Sequence, residues 1–305
     1  MESKRRITIR AFDGSLADAQ RLLVSERAVF DECPYNAEEI QSMLTMGPQR
    51  AWLALAGGLA VGFVIAFPTA GLSGPRWEID LLGVLPTWRG RGLATRLIRV
   101  ASTLGMEMAR QARAVVAVDN PASSRAFARA GFRLEPETCR LLIYRPSGLA
   151  PREDQKLRSR SSRGLMIKRT SRVSEAADWL PQPLTLGDNP AMTLLLAQAG
   201  EQPAGYAELI EVETLLYRGA WIESLQTQDS SVRQALVEAA VDTAVDAGLN
   251  EIGAMVPEGN WPLRDSLLAR GFRSLGDFRW HLARLPLPGL ARSSPAPTGS
   301  VDVLI

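Results

Sequence analysis

The chain repeats itself. "QPAGYAELI", Gln202 to Ile210, echoes "LAVGFVIAF", Leu59 to Phe67, with Gly205 falling on Gly62. The same register puts Glu223 on Asp80, Leu225 on Leu82 and Thr227 on Val84. After a small shift, "LLARGFR" falls on "FARAGFR", with Gly271 on Gly131 and Asn260 on Asn120. Repetition over this span means that one structural plan is used twice, so both halves must accept the same fold. A length of 305 residues agrees, being long for one ordinary domain and comfortable for two.

Composition narrows the chemistry. With one histidine, His281, the chain cannot build a site of several histidine ligands, and no metal is expected. A serine or cysteine nucleophile would depend on that single residue as its base. The two cysteines, Cys33 and Cys139, sit in unrelated contexts and suggest a reducing compartment rather than a disulfide framework. A net charge of +2 announces no nucleic-acid partner. No apolar run approaches the ~20 residues of a membrane span, and the basic start has no apolar region behind it. A cytoplasmic protein without membrane contact is expected.

In the first half, "ITIRAF" alternates as a strand, and Ser15 stands where a helix from there to about Phe30 would be capped. Asn36 and Glu39 form a capping-box signature for a second helix. "AWLALA" and "LAVGFVIAF" flank Gly57-Gly58 as a hairpin, and "RWEIDLLGV" adds a third strand. From Leu93 to Met108 the apolar residues recur at spacings of three and four, giving a one-sided helix. The strand "AVVAV", the helix "PASSRAFARAG" and the strand "CRLLIYR" complete the half.

Between the third strand and its helix lies "PTWRGRGLA". A glycine-rich turn opening a helix aims several unpartnered backbone N–H groups at one point, at the positive end of the helix dipole. Gly90 and Gly92 let the backbone approach an anion closely, and Arg89 and Arg91 add charge at the rim. Thr95 stands where a dinucleotide fingerprint needs a third glycine, and the Gly-Lys-Ser/Thr of a nucleotide-triphosphate loop is missing. The turn suits a pyrophosphate in some other setting.

"VLPTWRGRGLA", followed by "VDNPASSRAFARAGFR", resembles the GNAT superfamily of acyl-CoA N-acetyltransferases, whose motif Arg/Gln-x-x-Gly-x-Gly/Ala is matched by Arg89, Gly92 and Ala94. The order of strands and helices across the first half is that superfamily's order too. The resemblance implies an α+β fold with two tandem GNAT-like domains. Each would be a mixed, mostly antiparallel twisted sheet, split by a V-shaped wedge and flanked by helices. It implies acetyl-CoA as co-substrate, held by Leu82, Val84, Arg89, Gly90, Arg91, Gly92, Leu93, Ala94, Asn120 and Ser123. The N–H near Val84 would stabilise the developing oxyanion, a contact that can matter by a factor on the order of 100 to 1000.

Attack by an amine also needs a base. Asp80 and Glu78 are the candidates. They lie two apart on a strand, on a face expected to carry Leu82 and Val84 as well. The tyrosine usual in the superfamily seven residues after Asn120 is Phe127 here, and Tyr144, Tyr35 or water are the substitutes for a general acid. Asp31 and Glu32 would add an acidic wall suited to a cationic amine.

In the second half Val232, Ala235 and Val237 replace Arg89, Gly92 and Ala94, and Asp229 adds a negative charge nearby. That copy is expected to have lost acyl-CoA and to pack on, or wall, the first. The expected boundaries are 1–146 for the acetyltransferase domain, 147–164 for a basic linker, 165–286 for the degenerate domain and 287–305 for a disordered tail. The expected activity is acetyl transfer to a small primary amine by a monomer with an internal pseudo-dimer, or by a homodimer. The alternatives are a non-catalytic acyl-CoA sensor and a protein N-terminal or lysine acetyltransferase.

Overall fold

The structure, a computed structural model, describes residues 6–30, 34–146, 165–180, 191–285 and 301–304. The linker expected at 147–164, and Asp31, Glu32 and Cys33, lie outside the described residues.

The first half runs β1 (Arg6–Ala11), α1 (Leu16–Arg27), α2 (Ala37–Met46), β2 (Arg50–Ala56), β3 (Leu59–Gly71), β4 (Gly74–Val84), α3 (Leu93–Met108), β5 (Gln111–Ala117), α4 (Pro121–Ala130), β6 (Arg133–Leu134) and β7 (Cys139–Tyr144). The second runs β8 (Leu165–Thr170), β9 (Met192–Ala199), β10 (Gln202–Glu213), β11 (Arg218–Gln226), α5 (Ser230–Asp246), β12 (Glu251–Pro257), α6 (Trp261–Ala269) and β13 (Arg273–Arg284), with β14 (Val301–Leu304) after it. Local chemistry sets the helix starts. Ser15 Oγ accepts from the Asp18 N–H at 3.1 Å, and Asn36 and Glu39 close a reciprocal capping box.

All strands but the two-residue β6 lie in one path, β14-β1-β2-β3-β4-β5-β13-β7-β12-β11-β10-β9-β8. At the centre of that path the two halves interlock. β13, from the end of the second half, pairs antiparallel with β5 of the first, from Phe278–Ala117 to Arg284–Gln111. β7, from the end of the first half, pairs with β12 of the second, from Ile252–Tyr144 to Pro257–Cys139. The halves have exchanged their last strands. A strand's alternation shows which face is apolar but not which edge it will join. The expected disordered tail is corrected at 301–304, where β14 pairs antiparallel with β1.

The exchange carries side chains from each half into the other's core. Leu285 belongs to the cluster around Leu97, Ile98 and Phe127, with Ala283 packed against it, while Leu142 lies fully buried among Leu236, Leu267 and Ile252. Truncating Leu142 to Ala should cost about 2–5 kcal/mol. Because both cores share strands, urea unfolding of wild type and variant should each follow a single transition. Two separated transitions would contradict the interlocked arrangement.

Candidate active site

β4 and β5 begin as parallel neighbours but pair only at Arg76–Gln111, Trp77–Ala112 and Glu78–Arg113. Past Glu78 they separate, opening the expected wedge. At that point β4 also carries a bulge: Ile79 pairs with Ala66 and Leu81 with Ile65, leaving Asp80 as the extra residue. The bulge resets the alternation. Glu78 and Asp80 remain on one face, but Leu82 and Val84 turn to the other and pack with the α3-side cluster, whereas Leu81 packs with α1 and α2. The expectation that all four share a face is corrected. The Leu85 N–H donates to Val61 at 3.0 Å, so by antiparallel alternation the backbone polar groups of Leu82 and Val84 point away from β3, into the wedge.

From Leu85 to Gly92 the chain turns before α3 starts. Gly90 and Gly92 have φ of 76° and 75°, and a Cβ at either would meet only open space. Gly92 is the N-cap and offers no side chain to the helix, so the first-turn N–H groups face outward without a capping partner. Arg89 Nε donates to the Val84 carbonyl at 3.0 Å and braces the turn, while Arg91 lies over the Trp88 ring at 5.2 Å. The cradle is built of backbone, as a pyrophosphate seat requires.

The second half preserves the bulge and lacks the cradle. Ile222 pairs with Leu209 and Ser224 with Glu208, so Glu223 is the extra residue, in register with Asp80. Its helix, however, starts directly after Asp229, whose Oδ1 accepts from the N–H groups of Ser231 and Val232 at 2.7 and 3.2 Å. A side-chain carboxylate occupies the place an anion would take. Val232 and Val237, which replace Arg89 and Ala94 in the sequence, are buried residues of α5 itself.

The two bulge carboxylates differ in their surroundings. Glu223 is clasped by Arg113 through its two terminal guanidinium nitrogens, at 2.8 and 2.9 Å, and by Arg76 at 2.7 Å. Although burial opposes its charge, these two arginines hold its pKa below the ordinary range. Glu78 is taken up by the same cluster, receiving Arg113 Nε at 2.7 Å and the Thr69 hydroxyl. It is therefore not available as a base. Asp80 has no arginine. Water reaches it, yet protein walls it closely at longer range, and that desolvation, followed by the neighbouring Glu78 charge, pushes its pKa up to about 7. Arg76 and Arg113 escaped notice in the sequence; a lone arginine inside the apolar strand "QARAVVA" is the signal that marks Arg113.

Comparisons agree with this geometry. Residues 17–132 match the acetyltransferase (GNAT) family. The matched residues lie wholly within the first half. Over the whole chain the fold is similar to that of a GCN5-related N-acetyltransferase from Sphaerobacter thermophilus, 17% identical with a TM-score of 0.56, covering 93% of this chain and 98% of that one. A tandem GNAT protein from the clavulanic acid biosynthesis pathway is 13% identical with a TM-score of 0.52, covering 92% of this chain and 99% of its own. A glucosamine N-acetyltransferase region of a fungal multi-domain β-N-acetylglucosaminidase is 16% identical with a TM-score of 0.59, covering 92% of this chain and 38% of that one. Comparison with curated proteins gives no match. GNAT acetyltransferases are acyl-CoA-dependent N-acyltransferases. Among the described residues, no helix is long and apolar enough to cross a membrane, and no group of three potential ligands could hold a metal ion.

The remaining residues read from the sequence fall in both halves. Asn120 caps α4, accepting from the Ser123 N–H at 3.0 Å, and Asn260 caps α6 in the same way at 3.3 Å. Tyr144 is corrected as a candidate acid. Strand exchange places it in the second half, stacked near Phe272 and reached by Arg270 at 3.5 Å. Phe127 is buried edge-to-face with Phe132 and lies 5.5 Å from the ring of His281, which is itself 1% exposed and packed rather than on the surface.

Asp80 has a measurable signature. Its pKa rises from about 3.9 unfolded to about 7 folded, so the folded state holds a proton that the unfolded chain releases between those values. Its contribution to stability therefore falls as pH rises through that window. Asp80→Asn should raise the melting midpoint at about pH 8 and leave it nearly unchanged at about pH 4. An equal effect at both would contradict the assigned shift.

Proposed function

We propose that the first half moves acetyl from acetyl-CoA to the nitrogen of a small primary amine, with the second half serving as scaffold and wall within a monomer. The contrast between the two helix starts carries the reading. One is an open backbone cradle capped by Gly92, and the other is filled by Asp229. The N–H groups from Arg89 to Ala94 would bind the pyrophosphate, with the Asn120 and Ser123 end of α4 beside the arm. Backbone groups of Leu82 and Val84 along the wedge would hold the pantetheine and the thioester oxygen.

Asp80 takes the proton of the incoming ammonium. The freed nitrogen forms its bond to the acyl carbon and gives up its second proton to water, the C–S bond breaks, and the sulfur departs as a thiolate. With a thiol pKa of about 8.5, that group leaves without a strong acid, and water can return its proton. Leu215 of the second half is buried in the first half's cluster with Leu81, next to Asp80, and a wall there favours a small acceptor over a protein chain. One observation favours a second reading, an acyl-CoA sensor without turnover: the position of the usual tyrosine is filled by the buried Phe127.

Thiol release with acetyl-CoA and a panel of small primary amines separates the two readings. Steady turnover is expected, with kcat/KM rising with pH through a limb near the Asp80 pKa of about 7. Asp80→Asn should lower kcat/KM by ~10²–10⁴. Acetyl-CoA binding with no turnover for any amine would support the sensor instead.

A further inference from the structure

One hairpin of the second half reaches the acceptor side of the first. Between β10 and β11 the chain turns tightly at Thr214, whose hydroxyl accepts from the N–H groups of Leu216 and Tyr217 at 3.1 and 3.2 Å. The residue at the tip, Leu215, is 1% exposed and buried in the first half's cluster with Ile40, Phe63, Ile65 and Leu81. Two residues on, Tyr217 and Trp221 pack on the small cluster in which Ile210 and Val212 of β10 meet Phe67 of β3. Phe67 is the cross-strand partner of Glu78, and Leu81 directly follows Asp80. The hairpin therefore touches β3 and β4 on both sides of the bulge, and Asp80 lies between the two contacts.

The phenol is also oriented. Trp221 Nε1 donates to Tyr217 Oη at 2.8 Å, so the oxygen accepts from its own half and the O–H proton remains to be given. Burial, and next the charge of Asp80, push its pKa up, which keeps it a neutral donor. Two aromatic faces beside the Asp80 carboxylate also suit an ammonium.

Resting on the transferase reading of the first half, we infer that Tyr217 completes the acceptor site from the second half. Its ring and hydroxyl form the wall facing Asp80 against which the amine is seated. Tyr217 is a substrate-binding residue in this account, and Trp221 is the positioning residue that orients it. The acceptor class that fits is a small cationic primary amine with a hydrogen-bond acceptor near its nitrogen, to take the phenol proton.

The test is steady-state kinetics of the full chain with the best-acetylated amine of the panel, together with acetyl-CoA titration, for wild type, Tyr217→Phe and Trp221→Phe. Tyr217→Phe should raise the amine KM about tenfold, the scale of one lost hydrogen bond, and leave acetyl-CoA affinity within about twofold. Trp221→Phe should move the same KM in the same direction by less. An unchanged amine KM in Tyr217→Phe would overturn the inference, as would an equal loss of acetyl-CoA affinity, which would indicate a general disturbance. Wild-type chain that binds acetyl-CoA but acetylates no amine would overturn the transferase reading beneath it.

Discussion

Arg113 lies between Glu78 of its own half and Glu223 of the other, within 2.8 Å of each, and stacks over Trp280 of the exchanged strand at 4.4 Å. Burial works against its charge, and the two carboxylates more than restore it. A buried cluster of this kind adds little net stability, because desolvation offsets most of the attraction, but removing one member strands a charge at a cost of about 3–5 kcal/mol. Its consequence is therefore arrangement. It fixes how the halves meet, commits Glu78 to structure, and leaves Asp80 as the bulge carboxylate with no cation beside it.

The halves diverged at two points while keeping one plan. Both split their sheets beside a bulge that presents a carboxylate, and both cap their last helix, α4 or α6, with an asparagine. In the first half the carboxylate is open to water, with no ion pair among the described residues, and the helix start is bare backbone. In the second the carboxylate is bound by arginines from the first half, and the helix start is closed by its own aspartate. The half whose helix start is closed by Asp229 also supplies Glu223 to the arginines that join the two.

Much of this was legible in the sequence because it is local. The Asn36–Glu39 box, the Gly57-Gly58 hairpin, the glycine-rich turn and the register of Glu223 on Asp80 depend on residues near one another in the chain. What was not legible depends on partners far apart. Strand exchange was hidden because "CRLLIYR" reads as a strand whichever edge it joins, and Tyr144 was assigned to the wrong half for that reason. The bulge was hidden because one extra residue leaves no mark in an apolar run, so Leu82 and Val84 were placed on the wrong face. Tyr217 carried no motif, and its place follows only from the packing of Leu215.

The central claim is that one chain with two similar halves has one intact acyl-CoA seat. Calorimetric titration of the intact chain with acetyl-CoA tests it most directly. The account predicts one site per chain. Two sites would mean that Asp229 does not close the second half, and no binding would mean that the turn capped by Gly92 is not an anion seat.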